Sequence, residues 1–198
     1  MISFSIKIKT TKFLNSYILI KKFYKLFLFF LIVSCNSNDN YIELPEDTNN
    51  SDDQNEFAEI EYGLTEYGIT FQGIDRDFSV YIPESYTHDS PSSMIFVFHG
   101  FGGSNDFIMY TSNFNSISER ENFMVVYPQG SSFWGYPHWN VGGWTNSSSV
   151  NDVEFIDFLI ELISDQYNIN QDRVYATGMS NGGFFSYLLA CQLSNKIA

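Results

Sequence analysis

Three short runs that are apolar or nearly so, separated by segments of helical character, constrain the fold most. They are Met94–Phe98, Phe123–Tyr127 and Arg173–Thr177. Strands that are apolar throughout are covered on both faces, which is typical of parallel sheets flanked by helices. The alternation of such strands with helices predicts an α/β fold with a mostly parallel sheet and helices on its faces.

The segments around these runs are assigned from their periodicity. Between residues 57 and 83 short β-rich segments alternate with turn residues, which predicts an antiparallel hairpin. A polar segment, about 106–119, is expected to form one helix, whereas 131–150 has no period and is expected to be a loop. Asn151 is expected to cap a second helix, because apolar side chains recur after it at helical spacing: Val153, Ile156, Leu159, Ile160 and Ile163. Gly183–Cys191 predicts another helix, on which Cys191 is expected to be a small buried side chain.

The N-terminus has the layout of an export signal. Residues 1–25 carry basic side chains and no acidic ones, and they lead into the apolar run Leu26–Val33, which is too short to span a bilayer. The run ends in Leu31-Ile-Val-Ser-Cys35, which resembles the lipobox of bacterial lipoproteins. We therefore predict a signal peptide over 1–34 and lipidation of Cys35, so that the protein is secreted and held on a bacterial membrane, in the periplasm or at the cell surface. The alternative is an uncleaved anchor with an incidental cysteine.

Residues 35–56 are rich in Asn, Asp, Glu and Ser, and we interpret them as a solvated linker before a folded unit over 57–198. The chain has 10 basic and 23 acidic residues, and the net charge of −13 argues against nucleic acid as a partner. Six of the ten basic residues precede residue 35 and all acidic residues follow it, so the part after the signal is more acidic still.

One short motif points to chemistry. Gly178-Met-Ser-Asn-Gly182 is a G-x-S-x-G sequence with a predicted strand before it and a predicted helix after it. In this context the serine lies on a tight, strained turn, and Ser180 is the candidate nucleophile. A phosphate-binding turn is a weaker interpretation, because the Lys that such loops place after their glycines is absent.

A second glycine-rich segment agrees with the first. His99-Gly-Phe-Gly-Gly103 directly follows the first buried strand. A hydrolase whose serine lies on such a strand-to-helix turn, called a nucleophile elbow, needs a backbone donor at this place. We predict that the backbone N–H groups of Phe101 and Asn181 form an oxyanion hole, in which each donor is typically worth about 3 kcal/mol. His99 is expected to be a hydrogen-bonding brace rather than the general base. The competing interpretation of the segment is a flexible glycine loop.

From about Asp77 onward the chain resembles the N-terminal portion of the α/β-hydrolase family that contains polyhydroxybutyrate depolymerases and the related feruloyl and acetyl-xylan esterases. The matching segments are Val80–Pro83, Phe98–Gly103, Val126–Gly130, Trp139-Asn140, Asp152-Val153 and Arg173–Gly183. The resemblance implies an α/β-hydrolase fold and a serine esterase that acts on carboxylic esters, with Ser180 as nucleophile and with no metal or organic cofactor.

The catalytic triad is incomplete in this sequence. In this fold the serine is followed by the acid and then by the histidine, yet the three histidines, His88, His99 and His138, all precede Ser180. Ending at Ala198 would also leave the strand 173–177 as an apolar edge, which is an aggregation hazard. We therefore expect the C-terminal part of the domain to be missing and this chain alone to be inactive.

Two functions remain open. The first is a lipid-anchored esterase acting on a polyester such as polyhydroxybutyrate or on the feruloyl or acetyl esters of plant polysaccharide, with Trp139 and Trp144 as candidate substrate contacts. Packing of these indoles onto the core is the alternative for both. The second function is a non-catalytic surface-binding protein that retains the hydrolase scaffold without a triad.

Overall fold

A computed structural model describes residues 6–8 and 57–198 of the chain. The predicted linker, the lipidated Cys35 and all of the predicted signal peptide except 6–8 lie outside the described residues and stay predictions. The strands are β1 (Ile6–Ile8), β2 (Gly63–Phe71), β3 (Ile74–Ile82), β4 (Ser92–Phe98), β5 (Phe123–Pro128), β6 (Ser131–Phe133), β7 (Tyr136–His138) and β8 (Ile169–Gly178). The main sheet has the order β1-β2-β3-β5-β4-β8, and β6 and β7 form a separate pair.

The predicted hairpin is confirmed as β2 and β3, two antiparallel strands of nine residues each. They are joined by Gln72 and Gly73, which both have positive φ, 50° and 77°. This backbone twist is the one that favours a two-residue connection between antiparallel strands. The hairpin extends the sheet because β3 also pairs antiparallel with β5.

The α/β prediction is confirmed in the other half of the sheet. β4 lies between β5 and β8 and pairs parallel with both, so the described sheet is mixed, with a parallel part and an antiparallel part. Phe98 at the end of β4 is paired with Gly178 at the end of β8. The loops that follow these two strands therefore leave the sheet side by side, at its carboxyl edge.

The helices are α1 (Asn105–Ser112), α2 (Phe114–Glu121), α3 (Asp152–Gln166) and α4 (Asn181–Gln192). The prediction of one helix over 106–119 was wrong, because Asn113 adopts a left-handed conformation with φ 57° and separates two short helices. The segment 131–150 is also more ordered than expected, since it contains the β6–β7 hairpin and a 3-10 turn at Gly143–Thr145. No helix in the described part of the chain is long and apolar enough to cross a membrane.

α3 buries its apolar stripe, whereas α4 leaves part of its apolar surface exposed. The side chain of Asn151 accepts a hydrogen bond from the N–H of Glu154 at 3.2 Å, which confirms the predicted cap of α3. The predicted apolar stripe is buried at Ile156, Leu159, Ile160 and Ile163. Cys191 on α4 is exposed, so its predicted burial was wrong. The reason is that α4 is apolar on most of its circumference, and the described residues cover only one side, leaving Tyr187 79% exposed.

One buried ion pair ties the hairpin to α3. Arg76 on β3 donates to a carboxylate oxygen of Asp152 at 2.7 Å, and both side chains are almost fully buried. The guanidinium also lies 3.9 Å from the ring centre of Phe155. The other carboxylate oxygen of Asp152 accepts the backbone N–H of Asn140 at 2.7 Å. This pair therefore fixes the start of the 140–151 segment relative to the sheet.

Replacing Arg76 with Met should leave the carboxylate of Asp152 buried without its countercharge. Such a loss costs about 3–5 kcal/mol of unfolding free energy, which urea unfolding would measure. Arg173→Met is the matched control, because Arg173 on β8 is exposed and its replacement should change stability by less than about 0.5 kcal/mol. Equal effects of the two substitutions would contradict a structural role for the buried pair.

Candidate active site

Ser180 lies on a strained turn between β8 and α4. Its backbone has φ 54° and ψ −116°, a conformation that costs a residue with a side chain of the order of 1–3 kcal/mol and persists only where the surroundings enforce it. The residue is exposed. The serine hydroxyl is therefore presented to solvent above the carboxyl edge of the sheet, at the N-terminus of a helix whose dipole favours negative charge there.

The glycines on either side of the turn are required by space. A Cβ added to Gly178 would lie 2.6 Å from the carbonyl carbon of Gly182 and 2.8 Å from the carbonyl oxygen of Phe98. A Cβ at Gly182 would overlap the carbonyl oxygens of Phe98 and His99. The N–H of Met179 donates to the carbonyl of Phe98 at 3.1 Å. The turn is thus pressed directly against the end of β4.

This contact brings the two glycine-rich segments together. A Cβ added to Gly100 would lie 3.5 Å from Cβ of Ser180, so the loop after β4 borders the candidate nucleophile. Within this region the N–H of Gly102 donates to Pro137 at 2.7 Å and that of Gly103 donates to Gly100 at 3.0 Å.

The two predicted oxyanion donors, unlike Gly102 and Gly103, have free backbone N–H groups. Among the described residues, the N–H groups of Phe101 and Asn181 donate to no carbonyl. The N–H of Asn181 is also one of the first in α4, where helical backbone donors have no partner within the helix. Two free donors that flank Ser180, one on the loop after β4 and one at the start of α4, are what stabilisation of a tetrahedral oxyanion requires.

His99 is a hydrogen-bonding brace, as the sequence predicted, and its imidazole is held neutral. It is fully buried, its Nδ1 donates to the carbonyl of Gly100 at 2.7 Å, and its Nε2 accepts the N–H of Gly130 at 2.9 Å. Burial is the main reason that the pKa of His99 lies below the usual value, although the hydrogen bond to Gly100 and the charge of Asp152 oppose the shift. The imidazole therefore holds the Gly100 carbonyl of the predicted oxyanion loop, 99–103, without carrying charge.

The other two histidines are engaged away from Ser180. His138 is fully buried, with Nδ1 bonded to the carbonyl of Ser131 at 2.8 Å and Nε2 to the hydroxyl of Ser148 at 2.9 Å. His88 bonds the hydroxyl of Tyr86 and the carbonyl of Ala58. All three histidines of the chain are described, and none is hydrogen-bonded to Ser180.

Trp139 is a structural residue, and its assignment as a substrate contact was wrong. The side chain is completely buried, so it has no surface on which a substrate could stack. Its indole N–H donates to the carbonyl of His99 at 2.9 Å, and its ring stacks on Phe185 with centroids 5.0 Å apart. The alternative that the sequence left open, packing onto the core, holds for this indole.

The side chain of Asn181 has a role that the sequence did not predict. It accepts the backbone N–H of Trp139 at 2.8 Å and donates to the carbonyl of the same residue at 3.1 Å. Its side chain is buried, so both bonds are shielded from water. The two residues are 42 positions apart, and no spacing rule connects them.

Trp144 has the exposure that a substrate contact needs. It is 52% exposed and packs edge to face with the ring of Phe101, with the ring centres 5.1 Å apart. Phe101 also contacts the ring of Tyr136 at 5.6 Å. These three partly exposed rings form an apolar surface beside the oxyanion loop. In the described part of the chain no group of three or more His, Cys, Asp or Glu side chains could hold a metal ion.

The lowered pKa of His99 predicts acid sensitivity. Because the native imidazole binds its proton only below the pKa of the unfolded chain, about 6.5, the stability present at neutral pH is lost as the pH falls through that value. Urea unfolding midpoints between about pH 7.5 and about pH 5.5 should therefore decline. The His99→Gln variant should be less stable at neutral pH and should show a flatter decline. An unchanged slope in that variant would contradict the assignment.

Comparison with known proteins places this geometry in a family. The model of the family "Esterase", described as "Putative esterase", matches residues 71–196. The chain is 32% identical over 127 residues to a bifunctional acetylxylan esterase/xylanase from Neocallimastix patriciarum, a match that covers 64% of this chain and 17% of the relative. It is 35% identical over 117 residues to feruloyl esterase C from Emericella nidulans, with 59% of this chain and 41% of the relative covered. The chain thus spans less than half the length of either relative.

Solved structures agree on the fold. An acetyl xylan esterase from Aspergillus awamori superposes with a TM-score of 0.52 at 19% identity, over 62% of this chain and 44% of that one. An S-formylglutathione hydrolase from Agrobacterium tumefaciens superposes with a TM-score of 0.55 at 14% identity, over 70% of this chain and 57% of that one. The solved structures, together with the parallel strands that lead to the strained serine between β8 and α4, show a partial α/β-hydrolase fold. Because the family model matches residues 71–196, the chain belongs to the esterase family.

Proposed function

We propose that this chain carries the nucleophile and the oxyanion hole of an extracytoplasmic serine esterase. The observation that supports the proposal most is the juxtaposition at the carboxyl edge of the sheet. An exposed Ser180 with φ 54° lies at a helix N-terminus, and it is flanked by the free N–H groups of Phe101, on the loop after β4, and of Asn181, the first residue of α4. Carboxylic ester hydrolysis uses such a site directly.

In the proposed reaction the oxygen of Ser180 attacks the carbonyl carbon of the ester, and its proton passes to a general base. The tetrahedral oxyanion accepts hydrogen bonds from Phe101 and Asn181, the alcohol leaves with the proton, and water then hydrolyses the acyl-enzyme. The base is not supplied by His88, His99 or His138, because both ring nitrogens of each are bonded elsewhere. We propose that the base and the carboxylate that orients it follow Ala198 in the complete protein and that residues 1–198 alone are inactive.

The proposed substrates are the acyl esters of plant polysaccharide. The relatives named above are an acetylxylan esterase/xylanase and a feruloyl esterase, which favours this class over polyesters such as polyhydroxybutyrate. The rings of Phe101, Tyr136 and Trp144 support an apolar or aromatic group near the scissile bond, since they are exposed beside the oxyanion loop.

The catalytic role of Ser180 is tested with the product of the complete gene. Ser180→Ala should lower kcat/KM for methyl ferulate and p-nitrophenyl acetate by at least about ten-thousand-fold, because the nucleophile is removed. Ser194→Ala, a change of the same size at an exposed serine near the end of α4, should leave both rates unchanged.

Acetylated xylan and a polyhydroxybutyrate suspension, offered to the wild type, distinguish the two substrate classes.

Equal rates for wild type and Ser180→Ala would refute the nucleophile. A complete protein that binds acylated polysaccharide without hydrolysing any ester would instead support the alternative, a surface-binding protein that retains the scaffold without a triad.

We further propose that the protein is exported and lipidated at Cys35, which follows the apolar run Leu26–Val33 and a small residue. In a bacterial host the wild type should incorporate radioactive palmitate and partition into detergent, because several acyl chains hold a protein stably on a membrane. Cys35→Ala should do neither, whereas Cys191→Ala should behave as the wild type. Labelling that survives the loss of Cys35 would disprove this anchor.

A further inference from the structure

The two oxyanion donors lie on segments that are far apart in the sequence. Phe101 follows β4, and Asn181 begins α4, which follows β8. For both N–H groups to reach one oxygen, their relative position must be held to about 0.5 Å. Phe101 lies in an irregular glycine-rich loop, whereas Asn181 is the first residue of α4. The packing of Gly178 and Gly182 brings the two segments together, and buried hydrogen bonds are needed to fix one donor relative to the other.

The backbone of Trp139 is fixed to the second donor. The side-chain amide of Asn181 accepts the N–H of Trp139 at 2.8 Å and donates to the carbonyl of Trp139 at 3.1 Å. Because both residues are buried, these bonds are shielded from water, and leaving either unmade is costly. The amide thereby orients the first residue of α4, whose own N–H is the donor.

The side chain of Trp139 is fixed to the first donor's loop. Its indole N–H donates to the carbonyl of His99 at 2.9 Å, the peptide that leads from β4 into Gly100 and Phe101. The indole cannot turn away, because it is stacked on Phe185 and meets the edge of Phe98 at 5.1 Å.

A further hydrogen bond fixes the backbone that follows Trp139. The next residue, Asn140, donates its backbone N–H to the buried carboxylate of Asp152 at 2.7 Å, and Arg76 compensates the charge of that carboxylate. The backbone that follows Trp139 is thereby anchored to α3 and to the β2–β3 hairpin, which lie outside the turn at Ser180.

We propose that Trp139 is a positioning residue that sets the distance between the two halves of the oxyanion hole. This rests on the proposed esterase function. Its backbone holds Asn181 and its indole N–H holds the His99 carbonyl, so loss of the indole bond lets the Phe101 loop shift relative to α4. The donors then fit the tetrahedral oxyanion less well than before, while ester binding in the ground state changes little.

The test compares two substitutions that each remove one buried hydrogen-bonding group from an aromatic residue. Trp139→Phe removes the bond to His99. Tyr86→Phe is the control, because Tyr86 is buried and its hydroxyl accepts the N–H of Asn168 at 2.9 Å and is bonded to Nδ1 of His88 at 2.9 Å. These contacts lie next to the start of β8, at the opposite edge of the sheet from Ser180. Both are made in the product of the complete gene, and thermal melting establishes the temperature range in which each is folded.

In that range Trp139→Phe should lower kcat for p-nitrophenyl acetate by about tenfold to about a hundredfold, with KM changed by less than about threefold. The inhibition constant of a trifluoromethyl ketone, which forms an oxyanion on the serine, should rise by the factor by which kcat/KM falls. Tyr86→Phe should alter neither quantity by more than about twofold.

A folded Trp139→Phe enzyme with wild-type kcat, or an equal loss in Tyr86→Phe, would overturn the proposal. If Trp139→Phe does not fold, Asn181→Ala serves, because it removes the grip on Trp139 and keeps the backbone donor; wild-type kcat in that variant would refute the positioning role equally. A wild type without turnover would instead refute the proposed function, so the two failures are distinguishable.

Discussion

The backbone of the elbow touches the backbone at the end of β4, and the rest of the site depends on this contact. Gly178 and Gly182 have no space for a Cβ against Phe98 and His99. With side chains there, α4 would move away from β4 and carry Ser180 with it. Because interiors are close-packed, such a shift cannot be absorbed locally. The approach of these peptide groups therefore determines where Ser180, the N-terminus of α4 and the loop after β4 meet.

Holding irregular loops in place requires polar contacts in the interior. Here those contacts converge on a few buried groups, namely the neutral imidazole of His99, the amide of Asn181 and the carboxylate of Asp152. Each has its partners, which matters because an unpaired polar group costs more in the interior than a paired one gains. Such a network specifies one arrangement of the loops, and the same arrangement leaves the N–H groups of Phe101 and Asn181 free. Strain at Ser180 is tolerated because the network and the packing around it enforce the turn.

Local rules predicted most of the described elements. The apolar runs gave β4, β5 and β8, the turn residues gave the β2–β3 hairpin, and the helical stripe with Asn151 gave α3 and its cap. The two failures in secondary structure also have local causes. Asn113 adopts a left-handed backbone and divides the predicted helix over 106–119, and the segment 131–150 folds into a short hairpin that lacks a clear hydrophobic period.

The amino-acid sequence alone determined the strand-to-helix turn at Ser180 and the second glycine loop, because tight turns and close backbone approach restrict the residue type at each position. Only the tertiary structure decided what Trp139 and Asn181 do. An exposed and a buried tryptophan look the same in a sequence, and the amide of Asn181 meets a backbone 42 residues away. Burial and long-range hydrogen bonds depend on which segments the sheet brings together, and that is a property of the whole fold.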